Sequence, residues 1–188
     1  IDFIITKETD ELYGKFILML RLQMKSGMRV EEVVEIRNRN IDLNSKKIKI
    51  VGKGGKSRDL NFSSEGDENI WDLIVSKMDK EAIYLFYRTR IQKFPSLNKR
   101  IEIVINKKLP TTTSYYLQRF REMREMLGLR DKTTSHSVRR YFITQFLKNN
   151  PNRDLVRQIV GHSSTRMTDY YMGSMIDEKT KTTLDLPI

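Results

Sequence analysis

The first stretch of the chain carries apolar residues at helical spacing. Between residues 6 and 26 they recur every three or four positions, for example at Leu12 and Phe16, as on the buried face of a helix. Gly27 predicts the end of this helix, because glycine adopts the left-handed conformation at low cost. Arg29 then opens a second, short helix with acidic residues in its first turn. We therefore expect Arg29 at the corner between two helices.

The next stretch changes from helical to alternating spacing. Residues 47–51 alternate polar and apolar, a glycine-rich segment covers residues 52–56, and a second alternating run follows. Two alternating runs around a glycine-rich turn predict a β-hairpin, with residues 41–43 as a third strand. Lys53 and Lys56 lie at the tip of this hairpin.

The remainder of the chain is mainly helical in pattern. Residues 67–80 have helical spacing, residues 81–94 fit either a helix or a buried strand, and residues 101–105 form a short β-like run. Pro151 begins and Gly161 ends one of the later helices. These later helices are expected over residues 113–127, 135–148, 152–160 and 165–172. The predicted fold class is mostly α with a small antiparallel β-sheet, an α+β domain.

Composition narrows the possible functions. The chain has 188 residues, an ordinary size for one domain, and its 35 lysines and arginines against 24 acidic residues give a formal net charge of +11. Such an excess attracts polyanions, of which DNA is the first candidate. No apolar run reaches the length of a membrane span, and no basic amphipathic helix has a wide apolar face. The chain contains no cysteine, so we expect no disulfides and a cytoplasmic location.

Candidate chemistry is concentrated in the last quarter of the chain. His136 and Arg139 are three positions apart, so they share one helix face and can bind a phosphate together. A solvated basic face is the alternative. His162 follows a predicted helix end and is either a capping residue or a residue of a cleft. The adjacent Tyr170 and Tyr171 fit either packing or chemistry.

Two other kinds of site are excluded by the pattern. Two histidines without cysteine and without the HExxH spacing do not make a metal site. The turn GKGGKS matches the end of a nucleotide-binding phosphate loop, but Ile50 stands where that loop requires glycine. The turn also lies between two strands rather than before a helix. A lysine-bearing hairpin tip can instead enter a nucleic-acid groove, with a solvated turn as the alternative.

Four segments of the chain occur in a particular order, namely SGMRVEEVVEI, VGKGGKSR, HSVRR and VGHSSTRMTDYY. In this order they resemble the catalytic domain of a tyrosine recombinase of the lambda-integrase type. That family carries an arginine at a helix corner, a lysine on a β-hairpin, HxxR, GH, and a nucleophilic tyrosine nine residues after the second histidine. The resemblance covers residues from about 8 to 172, while the stretch from about 80 to 110 departs from the family pattern.

The resemblance implies catalytic roles for six residues, with no metal or other cofactor: Arg29, Lys53, His136, Arg139, His162 and Tyr171. Glu32 matches the acid that follows the first arginine. Lys56 takes the lysine role if the turn has a different register, and Tyr170 lies one residue before the nucleophile position. Tyr171 is favoured because Thr168 also falls where the family often has threonine.

The resemblance also implies a function and partners. It implies site-specific recombination or integration of double-stranded DNA through a 3′-phosphotyrosine intermediate, without ATP, by subunits that assemble into a synaptic tetramer. A type IB topoisomerase, which needs no paired sites, and a DNA-binding relative without activity are the alternatives. Residues 1–188 would form the catalytic domain of a longer protein with a preceding DNA-binding domain. Residues 173–188 would form a tail that docks on the same domain or on a neighbouring subunit.

Overall fold

The apolar helix face predicted near the start of the chain lies at the centre of the core. The computed structural model describes residues 13–52, 55, 57–64, 66–97, 99–149 and 152–161. Helix α1 spans Gly14–Ser26, and Phe16 and Ile17 on it are completely buried. The ring of Phe16 meets that of Tyr116 edge to face, with the centroids 5.3 Å apart, a favoured aromatic geometry. The predicted helix is confirmed from Gly14 onward.

Ten further helices and strands follow α1 among the described residues. They are α2 (Val30–Val34), β1 (Ile41–Asp42), β2 (Lys47–Val51), β3 (Ser57–Asn61), α3 (Glu68–Lys77), β4 (Tyr87–Phe94), β5 (Lys99–Pro110), α4 (Thr113–Met126), α5 (Ser135–Asn149) and α6 (Arg153–Val160). Short 3₁₀ turns occur at Asn38–Asn40 and Pro95–Leu97. In the part of the chain that the structure describes, no helix is long and apolar enough to cross a membrane.

The predicted hairpin and its third strand are confirmed. Strands β1, β2 and β3 form an antiparallel sheet in that order. Ile48 lies opposite Leu60, and Ile50 lies opposite Arg58. Ile48, Ile50 and Leu60 are buried, as expected for side chains that alternate between the two faces of a strand. The inner face of this sheet therefore completes one side of the core.

The stretch that fitted either a helix or a strand forms a strand. Strands β4 and β5 pair antiparallel from Phe94 opposite Lys99 to Tyr87 opposite Pro110, with register shifts next to Arg88. The predicted β-like run at residues 101–105 was therefore too short, because β4 pairs with β5 on both sides of that run, from Lys99 to Val104 and again at Asn106 and Pro110. The fold class is confirmed, and the expectation of one small sheet is corrected to two among the described residues.

The predicted helices α4, α5 and α6 are confirmed. The Thr112 side chain accepts a hydrogen bond from the Tyr115 amide and caps α4. The Asn152 carboxamide accepts one from the Leu155 amide at 3.1 Å and caps α6, as short polar side chains commonly do. Pro151, predicted to begin this helix, lies outside the described residues, as does the predicted helix over residues 165–172.

Candidate active site

Arg29 lies at a corner between two helices, as predicted. Helix α1 ends at Gly27, whose φ of 62° is left-handed, and α2 begins three residues later at Val30. Arg29 has an extended backbone (φ −74°, ψ 154°) at the start of α2. Its amide donates a hydrogen bond to Glu32 Oε2 at 2.9 Å. The corner therefore fixes the backbone of Arg29, while 39% of its side chain is exposed.

Glu32 is buried beneath this corner and binds two arginines. Its side chain is 6% exposed. Arg58 Nη1 and Nη2 donate to its two carboxylate oxygens at 3.0 and 2.8 Å, and Arg29 Nη1 lies 3.5 Å from Oε1. Burial raises the pKa of the Glu32 carboxyl, but the hydrogen bonds and charge of Arg58, with the contacts from Arg29, outweigh it and hold the pKa below its usual value. Glu32 is therefore ionised at neutral pH.

Arg139 is buried in α5 and joins two segments of the fold. Only 5% of the residue is exposed. Nη1 donates to the carbonyl of Gly27, and Nη2 donates to the carbonyl of Val160 at 2.8 Å. His136 lies one helical turn earlier on α5 and is exposed. The structure thus places the two HxxR residues on one helix, with the histidine in solvent and the arginine against backbone carbonyls.

Arg29 and Arg139 converge on the end of α6. Arg29 Nη1 and Nη2 both donate to the carbonyl of Gly161 at 3.4 Å, next to the Val160 carbonyl that Arg139 binds. Carbonyls at a helix C-terminus lack helical partners and carry partial negative charge, so cations are favourable there. Two arginines from distant parts of the sequence are therefore brought to one turn, which directly precedes His162 in the chain.

Gly161 leaves little room at this turn. Its φ is 67°, and a Cβ placed on it would lie 3.1 Å from Arg58 Nη1 and 3.9 Å from Arg29 Nη1. The backbone of α6 therefore approaches both guanidinium groups closely. Arg58 and Arg29 flank the single carboxylate of Glu32, so their contacts leave an excess of positive charge beside Gly161. Such a cluster suits a phosphate, for which arginine offers a planar pair of donors.

The remaining predicted site residues lie outside the described part of the chain. They are Lys53, His162 and Tyr171, with the alternatives Lys56 and Tyr170. The strands on either side of the lysine-bearing turn are described, and so is Gly161 before His162. The roles implied for all six residues remain predictions.

Arg58 is a member of the cluster that the sequence motifs did not indicate. It belongs to the VGKGGKSR segment, in which the resemblance implies a role only for the lysines. A usable signal was present, because Arg58 lies two positions before the buried Leu60 and so shares its face of the strand. A charged residue at an inward position calls for a buried partner.

Comparisons with known proteins agree with this architecture. A model described as the phage integrase family matches residues 3–176. The chain is 31% identical over 166 residues to the tyrosine recombinase XerC of Leptospira interrogans serogroup Icterohaemorrhagiae, an alignment that covers 87% of this chain and 47% of the relative. The chain thus spans about half the length of that relative.

Two solved structures show the same fold. The crystal structure of XerA recombinase matches with a TM-score of 0.65 at 22% identity, over 98% of this chain and 61% of that one. The recombinase XerH, in a post-cleavage complex with palindromic difH substrate, matches with a TM-score of 0.67 at 20% identity, over 94% of this chain and 48% of that one.

Proposed function

The chain belongs to the phage integrase family, and on that premise we propose that it breaks and rejoins double-stranded DNA at specific sites through a tyrosine nucleophile. The observation that carries this proposal is the convergence of Arg29 and Arg139 on the consecutive carbonyls of Val160 and Gly161. This convergence sets two arginines at the turn that precedes His162 in the chain. The relatives named tyrosine recombinase support the same chemistry.

In the proposed cleavage step, the hydroxyl of Tyr171 attacks a phosphorus of the DNA backbone. A bond forms between the tyrosine oxygen and phosphorus, and the bond from phosphorus to the 5′ oxygen breaks. The product is a 3′-phosphotyrosine and a free 5′ hydroxyl, so the energy of the phosphodiester is kept and no ATP is needed. Attack by the 5′ hydroxyl of a partner strand then reverses the step and joins the new pair of strands.

Proton transfers accompany both bond changes. An unperturbed tyrosine has a pKa of about 10 and is a weak nucleophile at neutral pH. His136, exposed at the start of α5, is proposed to assist removal of the Tyr171 proton. Lys53 is proposed to give a proton to the leaving 5′ oxygen. This division of roles requires the hairpin turn to approach the scissile phosphate from the side opposite the tyrosine.

The arginines are proposed to act on the charge of the phosphate. Negative charge grows on its non-bridging oxygens during attack, and donors fixed in advance stabilise such a transition state most strongly. Arg29 suits this role because its backbone is fixed by Glu32 while 39% of its side chain is exposed. Arg139 is buried and bound to carbonyls, so we propose that it contributes positive charge and holds the turn before His162. His162 would add a further hydrogen bond.

The wider assembly is also a proposal. The chain would serve as the catalytic domain of a longer protein, whose preceding domain grips the DNA. Four such subunits would assemble on paired sites, and residues 173–188 would exchange between neighbours. Removing residues 178–188 should then weaken assembly on DNA while single-site binding is retained. We propose that the protein acts on DNA in the cytoplasm of its host cell.

A nicked suicide duplex tests the central proposal. Duplexes that bind the protein tightly would be selected from a random-sequence pool and prepared with a nick beside each candidate cleavage position. We expect a covalent protein–DNA adduct on a denaturing gel, and its loss in Tyr171→Phe but not in Tyr170→Phe. The reverse result would move the nucleophile to Tyr170. Absence of any adduct with the wild-type protein would contradict the proposed function.

A supercoiled plasmid distinguishes the topoisomerase alternative. A recombinase needs paired sites, so a plasmid without a selected site should remain supercoiled. Relaxation of such a plasmid, in a reaction that is lost in Tyr171→Phe, would favour the topoisomerase. Tight DNA binding without adduct or relaxation would favour a DNA-binding relative without activity.

A further inference from the structure

Arg58 is a charged residue at an inward position of the three-stranded sheet. On β3, the outward residues Ser57 and Asp59 are exposed, whereas Leu60 is buried. Arg58 shares the face of Leu60, lies opposite the buried Ile50, and has a side chain only 12% exposed. Burying a charge is costly unless a partner compensates it. The position therefore requires an explanation beyond strand formation.

The partner of Arg58 is Glu32, on the helix that begins at Arg29. Both terminal nitrogens of Arg58 bind the two carboxylate oxygens, at 3.0 and 2.8 Å. This two-point contact fixes the orientation of the carboxylate, which a single-point contact would not. The same carboxylate accepts the Arg29 amide at 2.9 Å. A chain of contacts thus runs from the hairpin through Glu32 to the arginine corner.

Arg58 also lies close to the turn that follows α6. Its Nη1 lies 3.1 Å from the position a Cβ would take on Gly161. The carbonyl of Gly161 is the acceptor for Arg29. Arg58 therefore links the hairpin that bears Lys53, the corner that bears Arg29 and the turn that precedes His162 in the chain.

We propose that Arg58 is a positioning residue for DNA cleavage, which holds Glu32 so that Arg29 meets the phosphate and which fixes the lysine-bearing hairpin against this corner. The inference rests on the proposed function. The proposal places Arg58 behind the phosphate site rather than in it, because Glu32 binds both of its terminal nitrogens and its side chain is only 12% exposed. Lysine replaces it poorly, because a single ammonium group cannot bind both carboxylate oxygens in one plane.

Four variants test the role of Arg58. Arg58→Gln removes the charge, Arg58→Lys keeps it without the two-point contact, and Glu32→Gln removes the partner. Lys49→Gln is the matched control, because Lys49 is exposed on the outward face of the same hairpin and also loses one positive charge. For each variant we would measure the single-turnover rate of adduct formation, the affinity for the duplex, and Tm.

The expected result separates positioning from binding. Because a displacement of about 1 Å can cost on the order of 100-fold in rate, Arg58→Gln should slow adduct formation by roughly 100-fold, and Arg58→Lys by a smaller factor. Duplex affinity should fall no more than in Lys49→Gln. The proposal would be overturned if Arg58→Gln forms the adduct at a rate within about two-fold of wild type. It would also be overturned if the loss of rate is no larger than the loss of folded protein or of duplex affinity.

The pH profile supplies a readout that a purely structural role would not move. Without Arg58 the buried carboxyl of Glu32 loses its main hydrogen-bond donors, so its pKa should rise. As the solution is acidified, adduct formation by Arg58→Gln should therefore begin to slow at a higher pH than adduct formation by the wild-type protein. Glu32→Gln has no such group and should be slow at every pH. An unshifted acid limb in Arg58→Gln would count against the proposal.

Misfolding of a variant, or recovery of its stability in a double variant, also has a defined consequence for the role of Arg58. If Arg58→Gln does not fold, Arg58→Lys is measured in its place, and wild-type rate and profile in that variant would overturn the inference. If the double variant Arg58→Gln/Glu32→Gln recovers the wild-type Tm, it should still cleave slowly. Recovery of rate together with Tm would show a structural role only. A wild-type protein that forms no adduct refutes the proposed function itself, whereas a wild-type adduct with an equally active Arg58→Gln refutes only this inference.

Discussion

Replacing Gly27 with alanine should destabilise the protein for two separable reasons. Gly27 has a φ of 62°, and an added Cβ would lie 2.4 Å from Cδ1 of Phe142 on α5. The backbone conformation disfavours any residue with a Cβ, and the close approach of Phe142 leaves no room for one. The carbonyl of Gly27 also accepts from Arg139, so a shift of this turn should be transmitted to the candidate active site.

The magnitude follows from these two effects. A left-handed conformation costs an alanine about 1–2 kcal/mol, and overpacking in a close-packed region costs about 1–3 kcal/mol. Their sum is about 2–5 kcal/mol. At about 2–4 °C per kcal/mol for a domain of this size, Tm should fall by roughly 4–20 °C.

The matched control is Gly128→Ala. Gly128 has a φ of 60°, but no atom lies within 4 Å of the position that an added Cβ would take, so only the backbone cost applies. Urea denaturation of both variants should show a loss of about 1–2 kcal/mol for Gly128→Ala and a larger loss for Gly27→Ala. In a Phe142→Leu background, the cost of Gly27→Ala should shrink, because the two positions share one contact.

Equal losses in the two glycine variants would refute the steric part of this reasoning. So would a cost of Gly27→Ala that is unchanged by Phe142→Leu. If the protein cleaves DNA as proposed, Gly27→Ala should also slow adduct formation when it is assayed well below its Tm. Gly128→Ala, at the end of a different helix, should not.

Three further predictions concern single contacts. Tyr116→Phe removes the hydroxyl that donates to Gln23 Oε1 at 2.6 Å in the buried core, and should cost about 1–3 kcal/mol in urea denaturation. Asn152→Ala removes the cap of α6 and should cost about 0.5–2 kcal/mol, with faster amide hydrogen exchange in the first turn of that helix. The pKa of the Glu32 carboxyl is lower in the folded protein than in the unfolded chain. Its ion pairs therefore stabilise the fold fully at a pH above the unfolded-state pKa of this carboxyl, and their contribution is lost as the pH falls through its folded-state pKa. Glu32→Gln should therefore flatten the acid limb of a plot of stability against pH, and an unchanged limb would contradict the assignment.

Several elements of the fold could be predicted because their signals are local. The end of α1 depends on a glycine that adopts a positive φ, and the corner at Arg29 follows within two residues of it. The hairpin of β2 and β3 has strands that are near in sequence, with a turn composition that specifies the reversal. Helices α4 and α5 show their own periodicity. In each of these cases the residues that determine the element lie inside it or next to it.

The second sheet shows where local signals were insufficient. Residues 81–94 contain apolar and aromatic residues suited to either a helix or a strand. Strand β4 exists because β5 pairs with it along its length, and β-structure depends on such neighbours more than helical structure does. For the same reason, residues 101–105, which the sequence predicts as a short β-like run, are part of the longer strand Lys99–Pro110.

The sequence by itself determined the order of the motifs, the excess of positive charge and the corner that holds Arg29. The tertiary structure alone decided that Arg139 is buried against the carbonyls of Gly27 and Val160, and that Arg58 and Glu32 pair beneath Arg29. The physical reason is that hydrogen bonds and ion pairs join groups that are close in space, while spacing along the chain reports only the neighbours within one helix or strand.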